Sequence, residues 1–327
     1  MLDIISITGP VFIVIAVGFL AVKSSLMSAE EIRGVGRFVL LIALPALIFH
    51  AVASRPMSDV FEPSYMAAYA AGSLLMIAVS YLFSRVVTGL DQSRAAIRSM
   101  GMTCPNSGFI GYPIMLILFP EIAAQILALN FIVENVLLVP LLLTMAEQGR
   151  NNGESRSIGQ SLKATLTRLA RTPLMIAIAL SVPVSLAGLP MPALVERPLG
   201  ILADVAVGAS LFYVGSMLAI VGKKGMSAKA IPTAIGKLIV HPLILLVAYG
   251  AMVALGLTSA DEPMLLALLL TGALPAFTVF PILASNYDYG AEAGFALIVM
   301  TAASFFTLTL LLILTQDASG SMWGNLF

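Results

Sequence analysis

Apolar residues run along this chain in blocks of about 20, separated by short polar turns. At ~1.5 Å rise per residue, ~20 residues cross a ~30 Å hydrocarbon core, so each block predicts a transmembrane helix. About ten are read, near 4–22, 34–53, 65–88, 95–119, 123–146, 173–188, 199–221, 231–256, 263–285 and 291–315. One connection is longer. "EQGRNNGESRSIGQSLKATLTRLART", at 147–172, is polar and rich in Gly, Ser and Asn, and reads as a linker between two halves. The predicted fold is an all-α polytopic membrane protein: a first five-helix repeat at 1–146, a cytoplasmic linker at 147–172, a second five-helix repeat at 173–316 and an outer tail at 317–327. An odd number of spans per half makes the second half enter from the opposite side. Halves that share a fold then form an inverted-topology repeat, as in many transporters.

Composition narrows the class. The chain is 59% hydrophobic and 10% charged, with mean hydropathy +1.01, which fits a bilayer partner and no soluble domain. The net charge is zero, so no basic surface offers itself to nucleic acid. A single cysteine, Cys104, excludes an internal disulfide framework. The opening "MLDIISITGP" lacks the basic segment of a signal peptide, so the first span is expected to be retained. The basic residues are unevenly placed. The turns after spans 1, 3, 5 and 7 take Lys23, Arg33, Arg37, Arg85, Arg94, Arg98, Arg150, Arg156, Lys163, Arg168, Arg171, Lys223, Lys224, Lys229 and Lys237, which is 15 of the 17; only Arg55 and Arg197 fall on the other side. The positive-inside rule puts those turns in the cytoplasm and both termini outside.

Two spans carry residues that helices avoid. The fourth holds "CPNSGFIGYP", with Pro105 and Pro113; the ninth, fourth of its half, holds "GALPAFTVFPILASNY", with Pro275 and Pro281. An interior proline costs ~3 kcal/mol and frees a carbonyl. At membrane depth such backbone is tolerated only inside protein or beside a wet cavity. Both breaks are predicted near the bilayer midplane, approached from opposite sides. Crossing there, they would gather unwound backbone and half-helix N-termini, whose partial positive charge of ~0.5 and free N–H groups suit an anion. Asn106 and Ser107 add donors, while Gly108 and Gly111 allow close approach.

Among other intramembrane polar residues, Glu134 stands out about a dozen residues into span five. A carboxyl there is expensive and functional by default. Three roles are open: it carries a coupling proton, it shares a Na+ site with Asn130 or Asn135, or it is a protonated structural residue that bonds a neighbouring helix. His241, ahead of Pro242 in span eight with Lys237 one turn earlier, is expected either to pair with a carboxylate near the cavity or to sit buried and hydrogen-bonded. Asp204 reads as a capping or solvated residue, His50 as interfacial, and Ser210 and Tyr213 as packing or path-lining.

Five segments carry a resemblance: "LPALIF" (44–49), "CPNSGFIGYPIM" (104–115), "VENVLLVPLLL" (133–143), "KLIVHPLILL" (237–246) and "ALPAFTVFPILASNYDYG" (273–290). Together they resemble the auxin efflux carrier family, which includes the PIN-type plant carriers and bacterial carboxylate transporters. Pro105, Asn106 and Pro113, with Gly111, look like the crossover motif of that family. The resemblance implies ten spans in an inverted repeat and an anion site where spans four and nine cross, with Pro275, Ala276, Phe277 and Thr278 contributing from the second break. It also implies a scaffold of spans 1, 2, 6 and 7, a mobile part of spans 3–5 and 8–10 moving elevator-like past it, a homodimer, and placement in a bacterial inner membrane. Plant members place polar residues after the ninth-span proline, where Ala276 and Phe277 stand here, which points away from auxin. The "VEN" of span five is similar to that of malonate and malate carriers, so a small dicarboxylate is the expected substrate.

Rival classes remain to be set against a secondary transporter. No P-loop is present, so the drive is expected from an ion gradient, H+ or Na+, or from the substrate's own; no cofactor is expected. An intramembrane enzyme is disfavoured by the lack of HExxH, of an aspartyl pair and of an evident partner for the serine of "NSG". Auxin-like or other monocarboxylate efflux and a passive anion channel are the alternatives. Channels usually repeat one pore element around an axis, and paired inverted breaks fit a single central site better.

Overall fold

The structure, a computed structural model, describes residues 2–56, 61–150, 158–188, 191–221, 228–258 and 262–319. Among the described residues it is helical, with one isolated two-residue bridge as its only β pairing. The helices are α1 (Leu2–Lys23), α2 (Ala29–Ala53), α3 (Pro63–Val86), α4 (Gln92–Thr103), α5 (Ser107–Leu118), α6 (Ala123–Arg150), α7 (Ile158–Ala170), α8 (Pro173–Ala187), α9 (Ala193–Val221), α10 (Ala228–Ala254), α11 (Glu262–Ala273), α12 (Phe280–Ser285) and α13 (Gly290–Ser319). Helix α7 lies inside the segment read as a linker, and α7 and α8 meet at 70°. Residues 151–157 of that segment, and 320–327 of the expected tail, lie outside the described residues; the tail's first residues continue α13.

Six described helices are long and apolar enough to cross a membrane, seven if the bent α7–α8 pair counts as one span. The sequence reading expects about ten. The difference has a physical source at α4, whose residues from Ala95 to Thr103 are all buried by protein. A helix wrapped in protein need not be apolar, and α4 carries Ser99, Thr103 and a buried Arg98 bonded to Thr233 and Thr88. The remaining shorter apolar helices include α5 and most of α11, each cut short by a break.

Helix α3 shows the pattern of a membrane helix turned inside out. Its inward face carries Tyr65, Tyr69, Ser73, Ser80 and Ser84, while Leu74, Leu75, Val79, Leu82 and Val86 are exposed. With lipid as the outer solvent, apolar side chains lose nothing by facing out, and the polar ones find partners only within the protein.

Four prolines leave the same mark. Pro45, Pro113, Pro140 and Pro242 each follow a wide turn, at Val39–Ala43, Ser107–Gly111, Glu134–Leu138 and Gly236–Val240. In each, the residue before the proline donates five residues back: Leu44 to Val39, Tyr112 to Ser107, Val139 to Glu134 and His241 to Gly236. Proline cannot donate and its ring crowds the preceding turn; widening that turn keeps the helix running through it. Glu134, Ser107 and Lys237 all sit in these turns.

The most extensive packing joins α1 to α9, α2 to α8 and α9, α3 to α4 and α10, α4 to α6, α10 to α11, and α12 to α13.

Candidate functional site

The two broken segments meet. Pro105 and Ala276 pair as an antiparallel bridge. The Asn106 N–H donates to the Pro275 carbonyl at 2.9 Å, and the Phe277 N–H reaches the Cys104 carbonyl at 3.4 Å. Asn106 Nδ2 donates to Thr278 Oγ1 at 2.9 Å, while its Oδ1 accepts from the Phe109 N–H at 3.3 Å and caps α5. Backbone that the prolines exclude from helices thus finds its partners in the other break, which settles the desolvation problem at both places together. Gly111 belongs to this packing: a Cβ there would fall 2.6 Å from Leu274 Cδ1.

Beside the bridge is a cavity of about 210 Å³. Pro105, Asn106, Ser107, Gly108, Phe277 and Thr278 line it, as do Glu134 and Asn135. Pro275, Ala276 and Gly111 support it without lining it. The first N–H groups of α5, at Ser107 and Gly108, have no partner within a helix by geometry and border the cavity. The described lining holds one carboxyl, Glu134, and no lysine, arginine or histidine. A larger cavity of about 520 Å³, among Ala53, Arg55, Ser185 and Glu196, shares no lining residue with this one.

Behind the cavity wall a buried polar cluster ties α3 to α6 and α11. Ser107 Oγ donates to Glu134 Oε1 at 2.5 Å and Tyr69 Oη donates to the same oxygen at 3.1 Å. One turn back, Tyr65 Oη donates to Asn130 Oδ1 at 2.9 Å and lies 3.3 Å from Thr271 Oγ1, to which Asn130 Nδ2 donates at 3.1 Å. Asn135 is turned away from this cluster and bonds the Phe131 carbonyl of its own helix. His241 is elsewhere, between Ser73 Oγ at 3.3 Å and Lys237 Nζ at 3.0 Å. Of Glu134, Asn130, Asn135 and His241, Glu134 alone touches both the cavity and the crossing.

A family model described as "Membrane transport protein" matches residues 4–314. The chain belongs to that family. It is the auxin efflux carrier family that the crossover motif resembles. A protein of Rhizobium meliloti (strain 1021) named "Putative malonate transporter" is 24% identical over 337 residues, spanning 100% of both chains. "Uncharacterized transporter YfdV" of Escherichia coli (strain K12) is 23% identical over 302 residues, 90% of this chain and 92% of the relative.

For this membrane transport protein, sequence reasoning missed Tyr65, Tyr69, Thr271 and Lys237 as parts of the site region. The tyrosines had a readable signal, since Tyr65, Tyr69 and Ser73 recur every four residues on one face of an apolar helix. Lys237 was placed among the basic residues of a turn, and so was Arg98. Both are buried, Lys237 completely, so neither is a surface charge. Without them the basic bias is 13 against 2 and keeps its direction.

Proposed function

We propose that this protein is a secondary active transporter of a small organic dianion, malonate or malate, bound at the crossing of α4–α5 with α11–α12. The observation that carries the reading is the Pro105–Ala276 bridge beside a cavity bordered by the first turn of α5, whose leading N–H groups have no intrahelical acceptor. The name of the Rhizobium relative supports the substrate class. The packing supports two inverted five-span halves. If spans 1–5 correspond to spans 6–10, the pairing of span 1 with 7 (α1–α9) exchanges with that of span 2 with 6 (α2–α8). The 3–4 pairing likewise exchanges with 8–9 (α3–α4 and α10–α11). The same pairings favour a scaffold of α1, α2, α8 and α9 beside a transport part made of the rest. Alternating access then comes from elevator-like motion of that part in a homodimer, with both termini outside the bacterial inner membrane.

Coupling follows from charge. A dianion and an ionised Glu134 would repel each other in a cavity whose described lining holds no basic residue; a proton on Glu134 removes the repulsion. Glu134 therefore serves as the proton carrier of a symport. Ligands that bind the folded state raise its melting temperature. Malonate or malate is expected to raise that of the purified protein, with larger shifts at lower pH, whereas indole-3-acetate is expected to leave it unmoved. A shift from indole acids alone overturns the dicarboxylate assignment.

Glu134→Gln keeps an oxygen that accepts from Ser107 and Tyr69 but cannot exchange a proton. In proteoliposomes this variant is expected to hold malonate within a few-fold of wild type. Accumulation driven by a pH gradient is expected to fall by at least about tenfold, the equivalent of ~1.4 kcal/mol of lost coupling. Uptake with an unchanged pH dependence removes Glu134 from the proton path.

A further inference from the structure

We propose that the Lys237 ammonium is a tethered cation, built into the carbonyl end of α11 where a free Na+ would otherwise bind, so that this transporter needs no Na+. Its consequence for transport rests on the function proposed above; the site itself does not.

The site begins with a proline. Pro275 has no N–H to give the Thr271 carbonyl four residues back, and Ala276 leaves the helix to pair with Pro105, withdrawing its N–H from the Gly272 carbonyl. Two orphaned carbonyls therefore end a half-helix whose C-terminus already carries about −0.5 charge. In transporters built from broken helices, such carbonyl ends are where Na+ or H+ is coordinated. Here the place is taken from α10. Lys237 Nζ donates to Gly272 O at 2.5 Å, lies 3.5 Å from Thr271 O and stands 3.0 Å from His241 Nδ1. An ammonium has three N–H donors, and three acceptors meet it. With Nδ1 accepting, the ring proton belongs on Nε2, facing Ser73 Oγ at 3.3 Å.

Two glycines let the parts close. A Cβ on Gly272 would fall 2.9 Å from Pro242 Cα, and one on Gly236 would fall 2.8 Å from Met102 Sδ. Lys237 itself lies in the wide turn that precedes Pro242. Its bonding partners are carbonyls and an imidazole, the neutral donors that hold a small monovalent cation, rather than a carboxylate.

Melting temperatures of wild type, Lys237→Ala and Lys237→Met test this in NaCl, methylammonium chloride and choline chloride at equal ionic strength. Wild type is expected to melt alike in all three. Both variants are expected to melt lower in choline. Lys237→Ala opens the carbonyl cage, so Na+ or methylammonium is expected to raise it by about 3 °C; Lys237→Met keeps the cage filled by an uncharged chain and is expected not to respond. Wild-type melting that climbs with NaCl, or an alanine variant that responds no more than the methionine variant, overturns the proposal. Should neither variant fold, the wild-type arm decides: a Na+-dependent rise defeats the proposal and its absence upholds it. In proteoliposomes, wild-type malonate uptake is expected to be equal in Na+ and choline. Absence of malonate uptake in both salts defeats the substrate assignment and leaves the outcome of the melting experiment standing.

Discussion

Asn106→Ala will weaken malonate binding about a hundredfold while the helices remain folded. Asn106 makes three bonds: its N–H to Pro275 O and its Nδ2 to Thr278 Oγ1 span the crossing, and its Oδ1 accepts from the Phe109 N–H to cap α5. Alanine keeps only the first. The buried Thr278 hydroxyl and the Phe109 N–H lose their partners, and each such loss costs ~1–3 kcal/mol. A loss of ~2.7 kcal/mol in the geometry competent to bind is two decades in affinity. Isothermal titration with malonate, alongside the melting temperature, separates weakened binding from unfolding. Asn106→Asp sharpens the test. It keeps an acceptor for Phe109 but cannot donate to Thr278, and it adds a negative charge beside the cavity. It is expected to bind malonate still more weakly than the alanine variant although its cap is retained. Wild-type affinity in both variants would remove the crossing from substrate binding.

Much of this arrangement was legible in the sequence because prolines and charges cannot be hidden in lipid without a reason. Pro105 and Pro275 marked the two breaks, and the rule that freed backbone must be paired or wetted was enough to bring them together. Glu134 announced itself in the same way. The partners were harder to find. Nothing in "AFTVF" says that Thr278 meets Asn106, because that contact joins residues 172 positions apart through two irregular segments. Lys237 was obscured by position: near the end of an apolar run, a lysine reads as a turn residue. Only the α11 carbonyls, freed by the proline just past the end of that helix, show why it is buried. Helix α7 was obscured by composition, since Gly, Asn and Ser dominate the start of 147–172 and mask the helical stretch that follows; its Leu169 reaches the cavity. The wide turns were half legible. Each proline predicted a disturbance, but the five-residue step that absorbs it depends on the helix continuing through, which packing decides.

Gly215→Ala will lower the melting temperature by far more than a surface substitution can, because the added methyl meets backbone. A Cβ at Gly215 on α9 would lie 1.8 Å from the Ile15 carbonyl oxygen of α1, and a Cβ at Gly18 on α1 would lie 2.0 Å from the Phe212 carbonyl oxygen of α9. The approach is reciprocal, and Ser216 Oγ adds a bond to Gly18 O at 3.0 Å. In lipid no hydrophobic force draws helices together, so close backbone contact and such hydrogen bonds supply the adhesion. A side chain in the way can change rotamer; a carbonyl within a helix cannot move without moving the helix. The cost is therefore expected at or above the ~3 kcal/mol upper end of overpacking. Gly208, two turns earlier on the same helix, is the control. A Cβ there meets nothing within 4 Å, so Gly208→Ala gains helix propensity alone, ~1 kcal/mol in the stabilising direction. If the two variants melt together, α1 and α9 are not in backbone contact. If they diverge as expected, malonate should still shift the melting of the Gly215 variant, since the crossing is built from other helices, while uptake falls with the loosened frame against which those helices move.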